Sequence, residues 1–411
     1  MEVWKNRNTN YCNLLLALVF AMRLQVCTSL FALGAVSCRY MHRRDFLQLA
    51  TVAGACAATT SDIPKYRVVS HYSPSPNPGM PGPFPGKAVR VHSEKSVDNT
   101  THKIDGPTVD TMLSRGICSL TGAKSERDGW AHFFDAKDVV GIKVNCSGAP
   151  NIFSATEVVS GIVRNLTALG IPARNVYIYE RFPDQLSSVH YDRSLPAGIN
   201  IYAAETSRGS AAAYDPNTYV ETNFFGEDDT RSNMIRLVTE RFTKIVNVPN
   251  MKDHGAAGVT GCLKNIAYGN FSNVARSHNR EKTNTLSFIG TLADVEPLRS
   301  RTVLQVMDGL RGVWHGGPFS EDPKYRFYPK TIVFGTDPVA IDRLLLDVIE
   351  NKRKAEGALS IWDRSMDNIK PGRSEPRFNT FIREPGHIEF ASKLGLGVYD
   401  LHRIAVTEIE V

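Results

Sequence analysis

Residues 247–269, NVPNMKDHGAAGVTGCLKNIAYG, decide how this chain reads. They follow a strand expected over 244–248, and they place Gly255, Gly258 and Gly261 three residues apart ahead of a short helix expected over 259–269. A glycine-rich loop that opens a helix offers unpaired backbone N–H groups to an anion. Lys264 and Asn265, about one turn in, would add a charge and an amide from the same side. The competing reading is a tight strand-to-helix connection with solvated lysines. Asn265 stands where a Walker loop would carry Ser or Thr, and the glycine spacing is not that of a dinucleotide fingerprint.

Outward from this stretch, short apolar runs alternate with helical patterns. Strands are expected at 87–92, 139–144, 176–179, 302–307, 331–334 and 403–411, and helices at 107–120, 156–169 and 338–350. That alternation predicts an α/β fold: a mostly parallel sheet with helices on both faces, forming a single main domain. The polar segment 187–229 reads as an insertion or lid, and 361–386 as a second polar stretch. Residues 73–86 carry six prolines and read as an extended tether.

Ligands on such sheets sit at the carboxyl ends of strands. Lys143–Cys146, Pro249–His254, Asp308 and Asp337 are all expected there. Alternation along a strand puts Lys143 and Asn145 on one side, able to reach one ligand oxygen. A lysine inside so apolar a run calls for a salt bridge, to one of the aspartates, or for an anionic substrate. Lys143, Lys252, His254 and Asp308 are the candidate catalytic groups, and Asn145, Gly255, Gly258, Gly261, Lys264 and Asn265 the candidate ligand-binding ones. Asp308 and His315 flank a second glycine-rich segment and suit acid–base work or metal ligation. Asp337-Pro338 reads as a helix cap, and Asp342 as a partner for a buried lysine. Asn279, Arg280 and Lys282 read as a solvated loop, with closure over an anion as the alternative. No standard hydrolase, metalloprotease or zinc-finger pattern occurs, and the cofactor is left unknown.

The chain carries 48 Lys and Arg against 42 Asp and Glu. Residues 1–57 hold six of the bases and two of the acids, leaving a net charge of +2 on the remainder. No basic stripe suited to nucleic acid remains. Arg43-Arg44-Asp45-Phe46-Leu47, followed by a small apolar run, resembles a twin-arginine export signal, with Met41 as the expected start and 1–40 as an over-extended reading. The expected location is therefore periplasmic or extracellular, reached through the twin-arginine translocase, with no membrane span in the mature chain. A membrane helix over 11–38 is the rival and is weakened by Arg23. Cys56 sits in a poor lipobox. Cys118, Cys146 and Cys262 remain for the exported body, enough for one disulfide at most; Cys146 and Cys262 are expected as buried thiols before a disulfide or metal ligands.

VVGIKVN at 139–145, TEVV at 156–159, the stretch 247–269 and FGTDPVAID at 334–342 together resemble the family known as domain of unknown function 362 (DUF-362). The resemblance covers roughly residues 85–350 and is compatible with a twin-arginine signal ahead of the domain. Some relatives look like iron–sulfur proteins with an added cysteine motif that this chain lacks. The domain order expected is thus an extension and signal at 1–57, a Pro-rich linker at 58–86, and the DUF-362-like domain with a C-terminal extension at 87–411. The expected function is an exported protein that binds a small anionic ligand, with a metal as an option, and acts on it as an enzyme. The alternative is a non-catalytic binding or assembly protein of the cell envelope. Enclosed lysines with perturbed charge favour the enzyme, and an open groove with solvated lysines the binder.

Replacing Arg43 and Arg44 together by Lys, with translation started at Met41, is expected to hold the protein in the cytoplasm in a fractionation assay. Unchanged export would return the reading to a membrane helix over 11–38.

Overall fold

The apolar runs separated by Gly and Pro breaks become strands because alternate side chains find a helix layer on each face. The computed structural model describes residues 63–77, 79–278, 283–370 and 375–411. Its strands are β1 (Arg67–Val69), β2 (Lys87–His92), β3 (Val140–Lys143), β4 (Val176–Glu180), β5 (Asn200–Ala203), β6 (Tyr214–Glu221), β7 (Arg231–Ile235), β8 (Lys244–Asn247), β9 (Asn250–His254), β10 (Gly258–Val259), β11 (Thr302–Val313), β12 (Arg326–Phe327), β13 (Thr331–Gly335) and β14 (Ala405–Glu410). The helices that matter for the site are α1 (Gly106–Thr121), α2 (Thr156–Ala168), α3 (Gly261–Tyr268), α4 (Thr285–Ala293), α5 (Pro338–Ala355) and α6 (His387–Lys393).

One mixed sheet runs β14-β2-β13-β11-β8-β3-β4-β5, with β9, β10 and β12 attached beside β11. Pairing is parallel from β11 through to β5 and between β14 and β2, and antiparallel on both sides of β13. Val89, Val246, Ile332 and Phe334 pack in one apolar layer with α1 and α2. Ala88, Ile245 and Val333 pack in the other with α3, α4 and α5. The α/β architecture is therefore the expected one, a mostly parallel sheet covered on both faces.

Several local expectations change. Asp308 does not follow a strand; it lies inside β11, opposite Asn250 of β9 and Ile332 of β13. Gly309 and Gly312 look like loop residues, yet here they are strand glycines whose missing side chains leave room for Met251 and the Phe327 ring. Asp337 caps α5 as expected, accepting from Ala340 N at 2.8 Å, and also from Gly86 N at 2.8 Å and Val398 N at 2.9 Å. Because β13 runs antiparallel to β11, Asp337 lies at the opposite end of the sheet from the carboxyl ends of β3, β8 and β11.

The tether reading also changes. β1 pairs with β6, Met80 is buried, and Met80 N donates to Arg299 O at 3.0 Å, so proline-rich chain that cannot join a central strand still lies against the body. The segment read as an insertion supplies edge strand β5 and, through β6, a three-stranded sheet β1-β6-β7. Residues 1–57, where the export signal is expected, lie outside the described residues, as do Asn279, Arg280 and Lys282. Among the described residues no helix is long and apolar enough to cross a membrane.

All eight residues of α3 are buried, so its first N–H groups need partners inside the protein. Asp342, in the second turn of α5, provides them. Its carboxylate accepts from Cys262 N at 2.5 Å and from Leu263 N at 2.9 Å. Gly261 makes the approach possible, since its φ of +57° suits glycine and a Cβ there would collide with the Asp342 carboxylate. Burial outweighs these bonds and pushes the Asp342 carboxyl up to about 7.

Asp342→Ala strands two buried N–H groups and is expected to destabilise by about 1–3 kcal/mol for each, measured by urea unfolding. Asp342→Asn keeps one acceptor and should fall between wild type and Ala. An Ala variant as stable as wild type would mean that water reaches the helix end.

Candidate functional site

Three of the four buried lysines in the described residues are already engaged by oxygen. Lys143 Nζ lies 2.8 Å from Glu180 Oε1 and 2.6 Å from Val144 O, so the salt bridge expected for it exists, with a glutamate at the end of β4 as partner. Lys330 pairs with Glu94 at 2.8 Å. Lys252, fully buried in β9, donates to Asn145 Oδ1 at 2.9 Å and Ile152 O at 3.0 Å. Both acceptors are neutral, and burial lowers the Lys252 amine to about 7.

From Lys252 the hydrogen bonds continue in one direction. Asn145 Nδ2 donates to Asn265 Oδ1 at 3.1 Å, Asn265 Nδ2 to Asn247 Oδ1 at 2.7 Å, and Asn247 Nδ2 to Gln305 Oε1 at 2.7 Å. Aligned amides polarise one another, which suits a chain that starts at an amine. Asn145, Asn265 and Lys252 thus come together as expected, although as a buried chain rather than an open mouth. Cys146 lies beside it, its N–H on Glu180 Oε2 at 3.2 Å. All three body cysteines are free, and burial pushes the Cys146 and Cys262 thiols up, so both are inert core thiols.

Lys264 differs. Among the described residues it has neither a hydrogen-bond nor an ion-pair partner, and its Nζ sits 4.5 Å from the centroid of the Tyr268 ring, one helical turn on. The His278 ring meets the same tyrosine edge-on at 5.4 Å and lies 5.2 Å from the His254 ring. His254 Nδ1 accepts from Ala256 N at 3.1 Å and Ala257 N at 3.2 Å, so the glycine loop folds back over its own histidine. His278 Nδ1 and His387 Nδ1 each face a carbonyl oxygen, Ala275 O at 3.2 Å and Glu384 O at 3.0 Å, which forces the proton onto Nδ1. Their Nε2 atoms are therefore bare, and both are buried without a partner. Desolvation first, then the nearby Lys264 charge, depresses all three imidazoles, His278 to about 3 and His387 to about 4. Burial alone brings Lys264 down to about 7.

On the cleft side of His254 lies a cavity of about 340 Å³ between Gly255, the His315–Pro318 segment and residues 378–383. Asp253 is buried at its floor, ion-paired with Arg383 and 3.7 Å from Arg353, and it accepts from Gly317 N at 3.3 Å. Arg383 NH1 also donates to His254 O at 3.2 Å, and Arg353 NH1 lies 3.0 Å from His315 Nδ1. Arg353 NH2 is buried without a partner. Two guanidinium groups thus share one carboxylate, while Glu321 and Asp322 add further carboxylates to the cleft wall. Among the described residues no group of three His, Cys, Asp or Glu is arranged to hold a metal.

The structure separates the expected site residues. His254 and Gly255 line the cleft. Gly258 (φ +80°) and Gly261 (φ +57°) shape the loop, but the two helix N–H groups expected to meet a ligand are taken by Asp342, which pairs with no lysine. Asp308 is buried away from the cleft, accepting from Ala155 N at 2.7 Å, Leu310 N at 3.0 Å and Asn250 Nδ2 at 3.2 Å, and burial raises it to about 6. Asp253, Arg353, Arg383 and His387 were missed. Arg353 had a signal: with Asp342, Leu346 and Ile349 it falls on the buried i, i+4, i+7, i+11 stripe of α5.

The profile of the family described as Domain of unknown function (DUF362) matches residues 140–347. The chain belongs to that family. No curated protein matches it significantly. The DUF362 span contains β9, the glycine loop, Lys264, His278 and His315, whereas Arg353, Arg383 and His387 lie beyond its end and complete the cleft and the histidine cluster.

Lys264→Met removes a buried amine that has no partner and is expected to raise stability near and below neutral pH. The folded-state amine titrates near 7 and the unfolded one near its usual 10.5, so the unfolded chain binds the extra proton between those values. Wild-type stability should therefore rise relative to Lys264→Met as pH climbs from about 7 towards 10.5, read from urea midpoints of both proteins.

Proposed function

We propose that this DUF362 protein is exported by the twin-arginine route and there binds a small anionic ligand at the His254, Lys264 and Arg383 end of the cleft, on which it acts as an enzyme. One observation carries the reading: Lys264 is a buried amine with no hydrogen-bond or ion-pair partner among the described residues. A lysine left so has its ammonium form penalised, down to about 7, until something negative arrives, and an anion that pairs with it recovers the cost of its burial. Arg383, on the cleft wall and in contact with the His254 carbonyl, supplies a second cationic group near it. Enclosure and perturbed amines support the enzyme over the envelope binder, for which solvated lysines in an open groove would speak.

Calorimetry with inorganic phosphate and with glycolate tests the reading. Binding to wild type should be lost in Lys264→Ala with the fold intact. Above about pH 7 the bound anion must draw a proton onto Lys264, so affinity should fall by up to about tenfold per pH unit, and it should level off below 7. Binding that is indifferent to Lys264, or no binding of either anion, would overturn the proposal.

A further inference from the structure

We propose that Lys264 is a nucleophile for carbonyl compounds, condensing with the aldehyde or ketone carbon of a small oxo acid to form an imine. This rests on the anion-binding reading, since the acid group is what brings the ligand to the cleft.

Imine formation needs an amine that is unprotonated, uncommitted and reachable. Among the buried lysines of the described residues Lys264 alone is uncommitted; it keeps a little surface and lies behind His254, which lines the cavity. Lys143 and Lys330 are committed to contacts with Glu180 and Glu94. Lys252 is spent on two oxygens and has no exposed surface, whereas Lys264 keeps 9 % of its own. Its surroundings suit the chemistry. The Tyr268 ring beside the amine offers a cation–π contact to the ammonium form but no hydrogen-bond acceptor, and burial outweighs that contact. Tyr268 OH is itself paired with Ser277 Oγ at 2.6 Å. Burial keeps the amine near 7, so about half is free base at neutral pH.

The condensation also needs a proton carrier. The Lys264 nitrogen attacks the carbonyl carbon, and the C=O pair moves onto oxygen. Two protons from the amine must then reach that oxygen so that it leaves as water while C=N forms. Water that enters with the ligand relays them; His278 flanks the amine across the Tyr268 ring, but its imidazole, lowered to about 3, is too weak a base to carry them. No oxidant or reductant enters. The acid group is matched by Arg383, which with Lys264 acts on His254 from close range.

The full-length protein is incubated with glyoxylate and cyanoborohydride, which reduces an imine to a stable secondary amine, and the adduct is placed by peptide mapping. The expected result is one carboxymethyl group on Lys264 of the wild type. Its rate should climb to about pH 7 and level off, whereas ordinary exposed lysines, titrating near 10.5, keep gaining about tenfold per unit. Glycolate, which has no carbonyl, should compete without becoming attached. Glycolate binding that depends on Lys264, with no adduct on it or with adducts only on exposed lysines, would overturn the imine and leave the anion site standing. An adduct on Lys264 without measurable glycolate binding would support the imine and sink the anion reading. Neither binding nor adduct would remove both.

Discussion

The carboxylate of Asp342 at the start of α3 is the joint on which the site depends. α3 is wholly buried, and a helix cannot begin in the core unless its first N–H groups find acceptors. Asp342 meets that need from α5, and Gly261 gives it the room. The contact ties VTGCLKN to FGTDPVAID, two segments that are some eighty residues apart in the chain. It sets the rotation of α3, which sends Asn265 to the amide chain and Lys264 to the Tyr268 ring. It also fixes α5 along the sheet. Arg353 is eleven residues farther on, about 16 Å at 1.5 Å per residue, and so arrives beside Asp253 and His315.

Around that joint the protein buries far more polar chemistry than a core needs. Lys143–Glu180 is a paired set, and the chain from Lys252 through Asn145, Asn265 and Asn247 to Gln305 is almost fully satisfied. Such networks cost desolvation and return geometric uniqueness when every member has a partner. Among the described residues that lack one, Lys264, His278 Nε2, His387 Nε2 and Arg353 NH2 gather around His254 and Asp253, while others such as Gln305 Nε2 and Asn250 Oδ1 lie in the network itself. One aspartate faces two guanidinium groups, and burial alone lowers the lysine next to the histidines to about 7.

The division of labour along the chain follows. The span shared with the family makes strands β3 to β13, the glycine loop and the buried lysines, while β1, β2 and β14 lie outside it. The segment after it returns across the open end of β9 and contributes Arg383 and His387, while 378–381 wall the cleft. A cleft completed from outside the shared core is free to vary in ligand while the joint beneath it stays the same.

Period and punctuation were enough for the sequence to determine the α/β class, the positions of α1, α2, α3 and α5, the cap at Asp337 and the glycine loop after β8. Those features are local: they depend on alternation, on helical spacing and on what Gly and Pro permit. Asn145, Asn265 and Lys252 were legible as a group because strand ends in a parallel sheet meet. What only the tertiary structure decided is where each charge goes. Asp342 suggested a lysine partner and took two backbone N–H groups instead, because a buried helix end outbids a distant amine. Asp308 suggested a loop and stayed inside β11, because Met251 and Phe327 fill the space that its neighbouring glycines leave. Asp337 suggested the common mouth and went to the far end, because β13 reverses direction. Partner choice in a core is settled by non-local packing and desolvation, and neither leaves a period in the sequence.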